Sequence, residues 1–165
     1  MNDRTHIGFK YLIEVITAGQ VVDSFEVDNL MPTEGVNHLL NVAFKSGTQV
    51  TSWYLGLFEG NYTPTVDDTA ATFSAAATET TAYASATRMA WTAGSVASGV
   101  LDNSALRAEF AFTAGKVIYG GFMTSAAAKG ATSGALISVV RFPSPRTLDV
   151  DSILRVTAGI TLTPI

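Results

Sequence analysis

The sequence predicts a mainly β chain: an antiparallel β-sandwich, jelly-roll-like in style, with one short helix and an N-terminal β-hairpin. Three observations predict it. Runs in which apolar and polar residues alternate recur along most of the 165 residues, and a two-residue period marks a strand with one buried face. A single stretch switches to helical spacing. Strands follow strands through turns of irregular spacing with no βαβ alternation, which favours two antiparallel sheets packed face to face. A chain of this length is read as one domain, residues 1–165, in which residues 1–28 form the N-terminal hairpin or arm. It should bury about 68–70% of its unfolded surface and so needs no disulfide or metal to fold.

From the amino terminus, residues 6–16 read HIGFKYLIEVI. Phe9, Tyr11, Ile13 and Val15 share one parity while Lys10 and Glu14 take the other. Ala18-Gly19-Gln20 supplies a turn, and residues 21–28 alternate again with Val21, Phe25 and Val27 on the apolar side, which together make a hairpin. The period then changes. Val36, Leu39, Leu40, Ala43 and Phe44 stand at i, i+3, i+4, i+7 and i+8 and predict a helix over about residues 33–45 with these five on one face. Thr33 is the expected cap, Glu34 suits the dipole of the first turn, and Ser46-Gly47 ends the helix. That face is expected to plug one open end of the sandwich, so Leu40→Asp should unfold the domain.

Residues 50–58 (VTSWYLGLF) predict a strand, and residues 59–68 (EGNYTPTVDD) a loop. Extended chain is expected through residues 69–101, with residues 86–92 a strand, because Thr, Gly and Ser weaken any helical turn at Ala75-Ala76-Ala77. Four further strands are expected at residues 105–113, 116–124, 136–142 and 153–162. Gly120-Gly121 suggests a bulge or close backbone approach, and Pro143-Ser144-Pro145 should end the third of these strands.

Charge is scarce. Charged residues make up 15% of the chain, against about 25% in an ordinary soluble domain. Ala (23), Thr (21) and Gly (14) fill their place, as expected of a surface that neighbours cover. A net charge of −4 and a pI near 5.0 argue against nucleic-acid binding through phosphate contacts, which needs a basic face. Mean hydropathy is +0.28, yet the longest charge-free runs, residues 46–58 and 89–101, hold 13 residues each. A spanning helix needs about 18 or more. The first six residues lack the apolar core of a signal peptide, so the chain reads as soluble, without membrane partners.

Catalytic chemistry has little to stand on. There is no Cys, so thiolate nucleophiles, disulfides and Cys-based zinc sites are excluded. The two histidines, His6 and His38, share no metal-ligand spacing, and no phosphate loop or G-x-S-x-G is present. Asp67-Asp68 and Asp149-x-Asp151 supply too few oxygens for calcium and suit turns instead, though an ion at Asp67-Asp68 stays open. Trp53, Tyr54, Tyr83 and Trp91 could form a sugar platform, or serve as core and interface. No enzyme and no cofactor is expected.

The ordered set Asn29-Leu30-x-x-x-Glu34-Gly35-x-Asn37-x-Leu39-Leu40-x-Val42-x-Phe44, then Trp53-Tyr54-x-Gly56-Leu57, resembles the opening of a group of small tailed-bacteriophage virion proteins. Similar marks follow in the same order: Thr81-Ala82-Tyr83, Ala86-Thr87-Arg88-x-Ala90-Trp91, Asp102-Asn103-Ser104-Ala105, Tyr119-Gly120-Gly121-Phe122, and Lys129-Gly130-x-Thr132-x-Gly134 before Arg141-Phe142. The resemblance spans about residues 29–142. It implies a capsid decoration (cement) protein: a β-sandwich, made in the host cytoplasm, that sits on the virion exterior and clamps neighbouring major capsid protein subunits, itself a dimer or trimer. A tail, fibre-base or receptor-binding structural module is the alternative. The expected contacts are the N-terminal hairpin and residues 59–101, with Trp53, Tyr54, Tyr62, Tyr83, Arg88 and Trp91 as candidate interface residues.

Overall fold

The computed structural model describes residues 7–162. In chain order they form β1 (Phe9–Thr17), β2 (Gln20–Asp28), α1 (Thr33–Phe44), β3 (Trp53–Phe58), α2 (Phe73–Ala76), β4 (Met89–Trp91), β5 (Val100–Asp102), β6 (Ala108–Ala111), β7 (Lys116–Thr124), β8 (Leu136–Leu148) and β9 (Ile153–Thr161). One sheet runs β2-β1-β9-β5, with β6 also on β9; the other runs β4-β3-β7-β8. All the strand pairs are antiparallel. The two sheets enclose one core, to which β1 contributes Phe9, Tyr11, Ile13 and Val15, the parity that the alternation predicts. Leu154 and Val156 of β9, Phe110 of β6, Leu55 and Leu57 of β3, Ile118 and Met123 of β7, and Ile137, Val140, Phe142 and Leu148 of β8 join them.

The hairpin closes on Ala18-Gly19, both at positive φ (+50° and +76°). That is the type I′ geometry whose twist matches the strands it joins. A register shift opposite Val15/Ile16 follows, and Val21, expected on the apolar side, is exposed, as is Val22. Beyond β2 the chain crosses from one sheet to the other, where Leu30 exchanges backbone hydrogen bonds with Val139 of β8 (2.8 and 2.9 Å). Asn29 secures the crossing: its Oδ1 accepts from the Phe9 N–H (2.7 Å), and its Nδ2 donates to Ser138 Oγ (2.7 Å), which also accepts from Tyr11 Oη (2.8 Å).

The second sheet is covered on both faces. Residues 59–88 wrap its outer side and bury a second cluster of Phe58, Ala70, Phe73, Ala77, Phe122, Leu136 and Val139. Two cross-strand pairs make this possible: Gly56 opposite Phe122, and Phe58 opposite Gly120. Each phenyl ring lies over the glycine across from it, where an added Cβ would come within 2.4 Å of the ring. The Gly120 expectation of a close approach and a register irregularity therefore holds. The helical turn α2 sits inside this wrap, in place of the extended chain expected there. Burial of Phe73 and Ala77 against the outer sheet face supplies what local propensity lacks.

Two other expectations are corrected. β8 does not stop at Phe142 but continues through Pro143 and Pro145 to Leu148. In the pairing with β7, Ile118 faces Arg146 and Gly120 faces Arg141, so residues 142–145 bulge opposite Tyr119 and the prolines owe no ladder hydrogen bond. β5 was not anticipated. It and β6 share the edge of β9, and Asn103 fills the gap between them: its Oδ1 accepts from Ala158 N–H (2.8 Å) and its Nδ2 donates to Val156 O (3.2 Å).

Helix α1 spans the predicted residues but is rotated from the expected orientation. Gly35 is its buried residue, and a Cβ there would lie 2.9 Å from the Ile137 Cα and from the carbonyl oxygens of Leu136 and Ile137. The backbone of α1 thus rests on β8 at Gly35, with His38, Leu39 and Val42 turned partly inward. Phe44, nine residues on, is about two and a half turns away and points outward. Val36, Leu40 and Phe44 are exposed, so the Leu40 side of the helix is not the plug. Nor does Thr33 cap the helix: Pro32 holds that position without a side-chain cap. Thr33 N–H donates to Val66 O (2.9 Å), and Glu34 Oε2 accepts from Ala70 N–H and Leu136 N–H (2.8 Å each), tying the wrap to β8.

Candidate functional site: an uncharged end of the sandwich

The two longest charge-free runs of the sequence meet in space. Residues 46–58 contain β3, residues 89–101 contain β4, and these strands pair with Trp53 opposite Trp91. The Trp53 ring packs edge-on against His38 of α1 (5.5 Å between centroids), and Trp91 packs edge-on against Phe9 (6.1 Å) while its Nε1 donates to Ala158 O (2.9 Å). Both tryptophans are half-buried, so they form the footing of this end and hold α1 over it.

The surface above that footing is apolar. Leu40 is 51% exposed, with Ile7 and Val36 beside it along one groove and Phe44, 81% exposed, one helical turn on; Val96 of the β4–β5 connection (72%) and Leu162 are exposed as well. A groove of about 1060 Å³ lies between α1 and the first sheet, lined by Ile7, Phe9, Leu30, Met31, Val36, Leu39 and Leu40 among others, with Lys10 and Asp28 as its charged residues. Scattered exposed apolar residues are ordinary; a concentration at one end marks a contact surface.

Charge is concentrated elsewhere. On the outer face of the first sheet Glu14 accepts from both Arg107 (3.2 Å) and Arg155 (3.4 Å), Arg155 also pairs with Glu109 (2.9 Å), and Lys10 lies 3.4 Å from Glu26. A protein seated on that face would strip water from six charges, whereas the lining of the groove at the α1 end carries two, Lys10 and Asp28.

The six candidate interface residues separate. Trp53 and Trp91 underlie the uncharged end, Tyr54 follows Trp53 in β3 and is half-buried, and Tyr62 lies in the wrap with its hydroxyl donating to Asp68 Oδ1 (2.5 Å). That bond raises the Tyr62 phenol above its ordinary range. Tyr83 and Arg88 are interior. Arg88 donates through Nε and Nη2 to the Glu79 carboxylate (2.8 and 2.7 Å), and further to Ala126 O, Ser74 Oγ and Ala131 O. It fastens the wrap and presents nothing to a partner. Much of residues 59–101 is therefore a cover for the second sheet, and its outward part is the connection around Val96.

Asp67 and Asp68 do not face one another across a site. Asp68 is buried and accepts from Thr65 N–H (2.8 Å) as well as from Tyr62, which is the turn arrangement. Among the described residues no three of His, Asp or Glu gather as metal ligands, and no helix is long and apolar enough to cross a membrane. His6 lies outside the described residues. Sequence reasoning missed Phe44, Leu40 and Val96 as surface residues. The charge-free run of residues 89–101 holds Val96, whereas Leu40 and Phe44 lie outside both runs and their helical spacing reads as a buried face. Neither the models of protein families nor the curated proteins to which the sequence was compared match it.

Proposed function

We propose that the chain is a structural protein of a tailed-bacteriophage virion that seats on the capsid and cements neighbouring major capsid subunits, with the uncharged α1 end as its seat. The observation that carries the reading is the set of exposed apolar side chains along α1 and its groove, Phe44 foremost, on a sandwich whose ion-pair network lies on the outer face of the first sheet. The ordered resemblance over residues 29–142 supplies the biological setting. Many weak seats on a repetitive shell act together through effective concentration, so each contact can be modest.

The test mixes purified protein with unexpanded and expanded shells of a tailed phage and reads co-sedimentation. Uptake by expanded shells is expected, with Leu40→Asp and Phe44→Asp staying folded and losing it. Equal uptake of both variants, or indifference to shells, would sink the reading. A copy number that follows the single tail instead of the capsid subunits would favour the fibre-base alternative.

A further inference from the structure

We propose that β2 is a self-pairing edge: two copies of this chain join antiparallel through it, across a two-fold axis at Ser24, and continue the first sheet from one protomer into the next. The proposal stands apart from the shell reading and is tested without shells.

Among the described residues the other sheet edges are closed. β4 and β5 are three residues long. The outer side of β6 is taken by residues 82–84, since Ala84 N–H donates to Ala111 O (2.9 Å) and Thr113 N–H to Ala82 O (3.0 Å). β8 is bridged by Leu30 at Val139 and broken by Pro143 and Pro145 farther on. These are the devices by which soluble sheets avoid edge pairing. β2 has neither proline nor shortness; it is a nine-residue edge whose one register shift lies at Val22, toward the hairpin turn, leaving residues 23–28 regular.

The hydrogen-bond parity of that edge follows from one contact. Asn29 N–H donates to Phe9 O (3.0 Å), so Val27 opposite Tyr11 and Phe25 opposite Ile13 turn their backbone groups toward β1. Ser24, Glu26 and Asp28 then direct their N–H and C=O outward along the open edge. Their side chains are exposed, on the outer face of the sheet.

What fits an open edge is an extended strand, and the pattern of charge favours a second β2. A two-fold at Ser24 sets Ser24 opposite itself and Asp23 opposite Phe25, and brings Glu26 to the bulge at Val22, so no carboxylate faces another. A two-fold at Glu26 would oppose two glutamates. The acids near the axis are already answered within one protomer, Asp23 by Arg146 and Glu26 by Lys10. Val22, exposed in the single chain, gains the methylenes of Glu26 as cover.

Sedimentation equilibrium is expected to give twice the 17.3 kDa chain mass. Ser24→Pro removes an N–H that bonds nothing within the protomer; it should keep the wild-type far-ultraviolet spectrum and melting curve and sediment as a monomer. Because the chain has no Cys, Ser24→Cys should oxidise to a covalent dimer on a non-reducing gel, and Ser104→Cys, exposed on the β5–β6 connection, should not. A monomeric wild type, a dimer that persists in folded Ser24→Pro, or equal cross-linking at both positions would overturn the proposal.

Discussion

Replacing Arg88 with Met leaves the Glu79 carboxylate buried without its counter-ion. The side chains of the pair are 1% and 2% exposed, so water cannot take over the lost bonds. Glu79 Oε2 would retain only the Gly130 N–H (2.8 Å), and the carbonyls of Ala126 and Ala131 would lose their donor. The guanidinium also lies 5.1 Å above the Phe122 ring, and that contact goes with it. Breaking a buried pair from one side costs about 3–5 kcal/mol, and in a chain of this length each kcal/mol moves the melting temperature by about 2–4 °C, so a fall of roughly 6–20 °C is expected. Urea denaturation is the better measure, since an unchanged slope with a lower midpoint isolates stability from any change in the unfolded state. The double variant Arg88→Met, Glu79→Gln removes both charges while keeping an acceptor for Gly130, and should recover about 0.5–3 kcal/mol of the loss. A single variant within about 0.5 kcal/mol of wild type, or a double variant no better than the single, would refute the reasoning.

Three further outcomes are expected. Gly35→Val sets a Cβ against the backbone of Leu136 and Ile137 and should cost about 1–3 kcal/mol in urea; an unchanged midpoint would show that α1 does not rest on β8 there. The Tyr83 hydroxyl is buried with no hydrogen-bond partner among the described residues, so Tyr83→Phe should be neutral at pH 7 or stabilising by up to about 1 kcal/mol; a loss of stability would mean the hydroxyl has a partner. Burial raises the Tyr11 phenol well above its ordinary range, outweighing the Ser138 bond. The unfolded chain therefore gives up that proton first, above about pH 10, and stability should fall by about 1.4 kcal/mol per pH unit for this residue while being untouched by it at lower pH. Tyr11→Phe should flatten that alkaline slope in pH-dependent urea titrations.

Strand residues were legible where one face meets the core and the other meets water. β1 alternates in sequence and in burial, and β7 begins and ends at Lys116 and Thr124 as expected. The helix was legible in extent but not in rotation. Its apolar spacing named Val36, Leu40 and Phe44 as the inward side, whereas the residue that meets β8 is Gly35, which carries no hydrophobic signal at all. Pro143 and Pro145 read as a stop because nothing local says that the residues around them bulge out of the ladder. Arg88 read as surface because a single charge in a neutral stretch shows no partner, and its partner lies nine residues earlier on another turn of the wrap.

By itself, the order of residues determined the architecture: alternation, turn chemistry and one change of period are local properties, and together they admit little besides two antiparallel layers with a short helix. Tertiary structure alone decided what each neutral residue is for. Gly56 and Gly120 became seats for Phe122 and Phe58, Asn103 a substitute for strand backbone, and Phe44 the most exposed large apolar side chain of the described residues. The physical reason is that burial is a property of pairs of segments brought together from far apart in the chain, and a side chain without charge can satisfy either side of that division equally well.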